Sequence, residues 1–107
     1  MSDQELLELA ARAIGGYYDE YTDCFSTDMV NWEQWEPLED DGDAFSLMCM
    51  LNMSVFTDDS WVTDNMINVS TRRGGMVGQD WDDEIDDFNA LVRRAIVRAA
   101  AAIGSEK

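Results

Sequence analysis

The sequence predicts a single α+β domain spanning 1–107, a small β-sheet sandwiched by helices in α-β-α layers. Three observations predict it. Helical periodicity sits at both ends of the chain and again in its middle. Strand-like alternation fills most of 53–79. No repeat, linker or composition break divides the chain, and its 107 residues are the length of one domain. A chain of this size buries about two-thirds of its unfolded surface, so its core needs no metal or disulfide.

Residues 2–14 read as the first helix. Ser2 and Glu5 stand at capping-box spacing, where each side chain can satisfy a free N–H of the first turn. Leu6, Leu9, Ala10, Ala13 and Ile14 form one stripe, and Gly15-Gly16 can end the helix in a left-handed turn. Residues 17–40 carry no clear period. They interleave Tyr17, Tyr18, Tyr21 and Phe25 with acids. The stretch 29–38 allows one short extended piece, with Trp32 and Trp35 on opposite faces. Pro37 holds Glu36 extended.

The segment 38–53 reads as a second helix. Asp40 or Asp41 caps it, Asp43 suits the positive end of its dipole, and Phe45, Leu47, Met48 and Leu51 give it an apolar face. Asn52 ends it. Next come a short run at 53–56, a turn at 57–60 and a strand-like stretch at 61–71. A hairpin turn at Arg72-Arg73-Gly74-Gly75 then leads to a return strand at 76–79. The closing helix covers 82–103, with Ile85, Phe88, Val92, Ala95, Ile96, Ala99 and Ile103 on one face. Its alanines admit a close neighbour, and Gly104 stops it.

Charge narrows the functions. The chain holds 23 acidic and 7 basic residues, a net charge of −16, and no basic residue lies between Arg12 and Arg72. Such a field repels nucleic acid and anionic membrane and attracts basic proteins. The bland alternative is that the charge only keeps the protein soluble. No apolar run approaches the ~20 residues that span a bilayer. The acidic amphipathic start is unlike a signal peptide, so a cytoplasmic location is expected. Cys24 and Cys49 have no CxxC spacing and read as reduced thiols.

Catalysis is not expected. The chain has no histidine, which removes Ser-His-Asp and Cys-His systems, and among 23 acids a close carboxylate pair carries no information. No metal or cofactor is expected either. Reading 39–43 as a calcium loop puts Pro37 and Met48 at ligand positions one and twelve, where neither offers a side-chain oxygen. A helix cap explains those acids better. Arg72 and Arg73 could grip a phosphate with help from the glycine N–H groups, or could simply belong to a turn. Met48, Met50 and Met53 are either an adaptable contact surface or core.

Three segments carry a family resemblance. They are W-x-P-L-x-D-D-G-D-A-x-x-L from Trp35 to Leu47, R-R-A-I-V-R-A-A-A-x-I-G from Arg93 to Gly104, and L-L-E-L-A-A-R-A-I-G from Leu6 to Gly15. Together they span roughly half the chain, and it resembles the phage ABA-sandwich domain family of small phage and prophage proteins. The resemblance implies α-β-α layering and a phage or prophage origin. It implies no activity and no catalytic residues. Segment 17–34 is longer, more acidic and more aromatic than the family pattern, and the central helix is richer in Met. Those departures mark where a function particular to this chain would lie.

The functional expectation follows. An acidic, aromatic-studded face formed by Asp19, Glu20, Asp23, Trp32, Glu33, Trp35, Glu36, Glu39, Asp40, Asp41 and Asp43 would cover the basic, nucleic-acid-binding surface of a host defence protein. A CRISPR effector or restriction enzyme has such a surface. Binding would weaken with salt and with joint replacement of Glu39, Asp40 and Asp41. Alternatives are nucleotide sequestration through Arg72 and Arg73, or a phage accessory role. The aliphatic closing helix leaves a homodimer open.

Overall fold

The computed structural model describes residues 2–58, 66–70, 76–80 and 88–106. It shows the expected α+β class: among the described residues, three helices with small antiparallel sheets. Helix α1 is Asp3–Ala13. The Ser2 side chain accepts from the Glu5 N–H at 3.2 Å, which makes Ser2 the N-cap. At the other end Gly15 takes φ 79°. The Gly16 N–H reaches the Ala11 carbonyl at 2.9 Å and the Gly15 N–H reaches that of Arg12 at 3.1 Å. This pair of bonds is the Schellman closure that two successive glycines permit. Leu6, Leu7, Ala10, Ala11 and Ala13 are buried, a wider face than one stripe.

Helix α2 is Asp41–Met50, and its N-cap is Asp40, whose carboxylate accepts from the Asp43 N–H at 3.0 Å. Asn52 ends the helix as expected. It takes φ 52°, and the Met53 N–H closes onto the Met48 carbonyl at 3.0 Å. Only Ala44 and Leu47 of this helix are buried, while Phe45, expected on the apolar face, is exposed. The helix meets its neighbours along one narrow edge, and Phe45 lies off that edge.

Helix α3 is Phe88–Ser105. It touches α1, α2 and two strands of the second sheet, so burial runs round the helix. Leu91, Val97, Ala100 and Ala101 are buried together with Ala95, Ile96 and Ala99. Gly104 does not stop this helix but lies within it. A Cβ there would overlap the Leu9 carbonyl oxygen, so the glycine lets the α1 backbone lie against α3. Residues 82–87 of the expected helix, Ile85 included, lie outside the described residues.

The first sheet has the order β1-β2-β3, formed by Tyr17–Asp19, Cys24–Ser26 and Glu33–Gln34, all antiparallel. Its register pairs Tyr18 with Phe25, and Phe25 with Glu33. The sequence reading anticipated one short extended piece in this region, not a sheet. The second sheet has the order β4-β5-β6, formed by Ser54–Asp58, Met66–Ser70 and Met76–Asp80. Its register sets Val55 and Val77 either side of Val69, which is fully buried. The turn expected at 57–60 does not begin at Thr57: Thr57 and Asp58 are paired in β4 with Ile67 and Met66, while 59–60 and the expected turn at 72–75 lie outside the described residues.

One core gathers α1, α3, Trp35, Ala44, Leu47, Met53 and Val69. Ion pairs tie the helices to it: Arg94 to Asp3 at 3.0 Å, and Arg93 to Asp41 at 2.6 Å. Cys24 and Cys49 are free thiols. No described helix is long and apolar enough to cross a membrane.

Candidate interaction surface

The site is built on the first sheet, whose inner face is aromatic. Trp35 sits 5.2 Å from the Phe25 ring and 6.0 Å from the Tyr18 ring, both tilted, the offset geometry aromatic pairs favour. Gly16 passes under Phe25, where a Cβ would overlap the ring. Trp35 is thus a core residue at 8% exposure, and it supports the sheet instead of offering an anchor to a partner. The expected separation of the two tryptophans holds, since Trp32 is on the exposed side.

Tyr18 donates its hydroxyl proton to the Asp23 carboxylate at 2.6 Å. Burial pushes the Tyr18 phenol well above its ordinary value. The bond to Asp23 and the negative charges of Asp23, Glu36 and Asp19 push it further. Asp23 itself stands at φ 53°, in the left-handed turn between β1 and β2. Asp19 organises the same turn by accepting from the Tyr21 N–H and the Thr22 hydroxyl, both at 3.0 Å.

Asp40, Asp41 and Asp43 have structural work instead. Asp40 caps α2, and Asp43 accepts from the Glu36 N–H at 2.8 Å, which fixes the bend around buried Pro37. Asp41 takes the Arg93 guanidinium, which also donates from Nε to the Leu38 carbonyl at 2.9 Å. This clasp closes the segment between Trp35 and α2 onto α3. Asp40, Asp41 and Asp43 therefore leave the set of free recognition groups, and replacing Glu39, Asp40 and Asp41 together would test folding as much as binding. Glu36 is partly buried beside Gln34, 3.3 Å away, while Glu39 is exposed.

The loop between β2 and β3, residues 27–32, is the feature the sequence reading missed. Asp28 draws the loop around its carboxylate. Oδ1 accepts from the Ser26 hydroxyl and from the Val30 and Asn31 N–H groups, each at 2.9 Å. Oδ2 accepts from the Asn31 side-chain amide at 3.0 Å. The Ser26 Oγ in turn accepts from the Met29 N–H at 2.8 Å. These bonds, Asn31 and Val30 first, hold the Asp28 carboxyl well below the usual carboxylate range. Met29 takes φ 62°, a left-handed conformation that costs an ordinary side chain about 1 kcal/mol or more.

The N–H groups of Asp28, Met29, Val30 and Asn31 are thus tied while the side chains around them are exposed. Val30 is 76% exposed, Met29 60%, Tyr17 52% and Trp32 38%. The register places these residues at one end of the sheet. Tyr17 lies opposite Ser26, and Trp32 directly precedes Glu33, the partner of Phe25. Tyr21, also exposed, marks the other end with Glu20. Single exposed apolar residues are ordinary, whereas a group of them on an ordered loop is the signature of a contact surface. Glu33 in β3 and Glu20 in the turn at the opposite end are both exposed. The signal available in the sequence was Ser26-x-Asp28 followed by Met29-Val30, a turn-forming pair ahead of two apolar side chains.

Of the expected site residues, the structure brings Asp19, Glu20, Asp23, Trp32 and Glu33 onto one small sheet. It assigns Trp35 to the core and Asp40, Asp41 and Asp43 to the clasp. Arg72 and Arg73 lie outside the described residues. A separate cleft of about 280 Å³ lies between α2 and α3, lined by Ala44, Phe45, Met48, Val92 and Ile96 with Asp41, Asn89 and Arg93. Among the described residues no cluster of His, Cys, Asp or Glu is arranged to hold a metal ion. The chain matches no protein-family model, no curated protein and no solved structure.

Proposed function

We propose that this chain is a phage-encoded binding protein of the host bacterial cytoplasm that inhibits a host defence protein. It does so by occupying a basic, nucleic-acid-binding surface on a CRISPR effector or restriction enzyme. The carrying observation is the ordered loop 27–32, which exposes Met29, Val30 and Trp32 beside Tyr17 within a stretch free of basic residues. Strained φ at Met29 and the bonded N–H groups of 28–31 suit a segment held ready for a partner. Apolar side chains there anchor, and the field of the exposed acids Glu20, Glu33 and Glu39 steers a positive partner and repels nucleic acid. The resemblance of the Trp35–Leu47, Arg93–Gly104 and Leu6–Gly15 segments to phage ABA-sandwich proteins supports the phage origin.

The test is competition. The immobilised chain is exposed to host lysate at low salt, and the retained protein is challenged with duplex DNA. The reading requires a retained nucleic-acid-binding protein that DNA displaces and that salt removes. A retained protein that binds DNA and this chain at the same time would overturn it.

A further inference from the structure

We propose that the cleft between α2 and α3 seats a basic amphipathic helix of a partner protein. This surface is distinct from the loop at 27–32, and its occupancy does not depend on that loop. Helix geometry gives its shape. From α2 the cleft is lined by Asp41, Ala44, Phe45 and Met48, and from α3 by Asn89, Val92, Arg93 and Ile96. Each set runs i, i+3, i+4, i+7, which is one face of a helix over two turns. Asp41 accepts from Asn89 at 3.4 Å and from Arg93 at 2.6 Å, so the two faces start at the same end and run side by side. Such a pair bounds a groove about 10 Å long, where ridges-into-grooves packing places a third helix.

The groove is apolar along its length and acidic at one end. Ala44 and Ile96 are buried, Met48 and Val92 are half-buried, and Phe45 remains 61% exposed. A phenylalanine left in water beside an apolar cleft gains by being covered, and the thioether of Met48 adapts to what covers it. At the other extreme, Glu39, Asp40 and Asp43 lie within two residues of Asp41, so their backbones stand within about 8 Å of it. Those four carboxylates outnumber the one guanidinium of Arg93, while neighbouring Arg94 is engaged with Asp3. A helix with an apolar stripe and cations on its flank answers both features. A second copy of the chain does not, since it brings another −16 to the same place.

The probes are three leucine-rich peptides of about 14 residues, long enough to hold a helix when bound. One has lysines with leucines at helical spacing. The second has the same composition with leucine and lysine alternating, and the third has glutamate for lysine at helical spacing. Titrated into the full chain at low salt, the first is expected to bind about tenfold or more tighter than either other. Amide shifts should centre on Phe45, Met48 and Val92, and the peptide should gain helical circular dichroism. Phe45→Ala should weaken binding about fivefold or more without lowering the melting temperature, because the ring is exposed. Val30→Ala with Trp32→Ala should bind this peptide as the unaltered chain does. Equal affinity for the two lysine peptides would mean a surface that reads charge alone and would overturn the proposal. So would an absence of binding, or shifts that centre on 27–32. Sedimentation showing self-association that Phe45→Ala abolishes would assign the groove to a second copy and overturn it as well.

Discussion

Arg93 reaches from α3 to Asp41 at the start of α2, Nη1 to Oδ1 at 2.6 Å, with the Arg93 side chain nearly buried and the carboxylate mostly in solvent. The asymmetry sets what each substitution costs. Arg93→Ala removes a buried guanidinium that also holds the Leu38 carbonyl, and should destabilise the fold by about 2–3 kcal/mol. Asp41→Asn weakens an exposed, screened partner and should cost about 1 kcal/mol or less. Glu39→Gln, two residues away, should be neutral. Urea denaturation of the three variants gives the order directly.

Gly104 and Leu9 make a second test with an informative sign. In an open helix Gly→Ala stabilises by about 1 kcal/mol. At Gly104 the new Cβ overlaps the Leu9 carbonyl oxygen, backbone that cannot rotate away. Gly104→Ala should therefore lower stability, by about 1–3 kcal/mol, the ordinary cost of overpacking. A raised melting temperature would mean that α1 and α3 do not lie this close.

Tyr18 gives the alkaline behaviour. Its folded-state value is raised, so the folded chain keeps the phenol protonated where the unfolded chain has lost the proton. Its contribution is complete below pH ~10, the ordinary tyrosine value, and is lost as pH rises beyond it. Denaturation midpoints from pH 9 to 12 should fall more steeply in the unaltered protein than in Tyr18→Phe.

Asp28 has the opposite sign. Its folded value is depressed, so its contribution is present above pH ~4 and is lost as pH falls below it. Asp28→Ala should speed amide exchange at Val30 and Asn31, the groups it accepts from, while leaving α1 and α3 protected. Equal protection in the variant would mean that the loop is ordered by something else.

A net charge of −16 on one small domain also makes folding and binding respond to salt in opposite directions. Screening shortens from about 10 Å at 0.1 M to about 3 Å at 1 M. Relief of self-repulsion should raise the melting temperature across that range, while attraction to a basic partner weakens. Melting curves in added KCl separate the two, and binding lost with salt then cannot be put down to unfolding.

Much of the fold was legible because its signals are local. Ser2, Asp40 and Asn52 sit where cap chemistry alone puts them, and Val69 lies in the alternating stretch. The first sheet was not legible. Its strands are two or three residues long, too short for a period to show, and Trp35 owes its burial to rings brought from β1 and β2. Gly104 reads as a helix stop from one side only, since the reason for it is the backbone of α1. The same limit governed the site. In sequence Asp40, Asp41 and Asp43 look like the densest acidic patch, and only the fold shows them engaged with their own helix, Glu36 and Arg93. Met29 and Val30 carry no signal of their own in the sequence, and only the Asp28 turn shows them exposed.

The most direct measurement is the salt dependence of affinity for the captured partner, with two variants beside the unaltered chain. Replacing Glu20, Glu33 and Glu39 by Gln should flatten the plot of log Kd against log salt. Val30→Ala with Trp32→Ala should raise Kd about tenfold or more, as loss of central apolar anchors does, without changing the slope. An affinity indifferent to both sets would show that neither the exposed apolar loop nor these acids are where the protein meets its target.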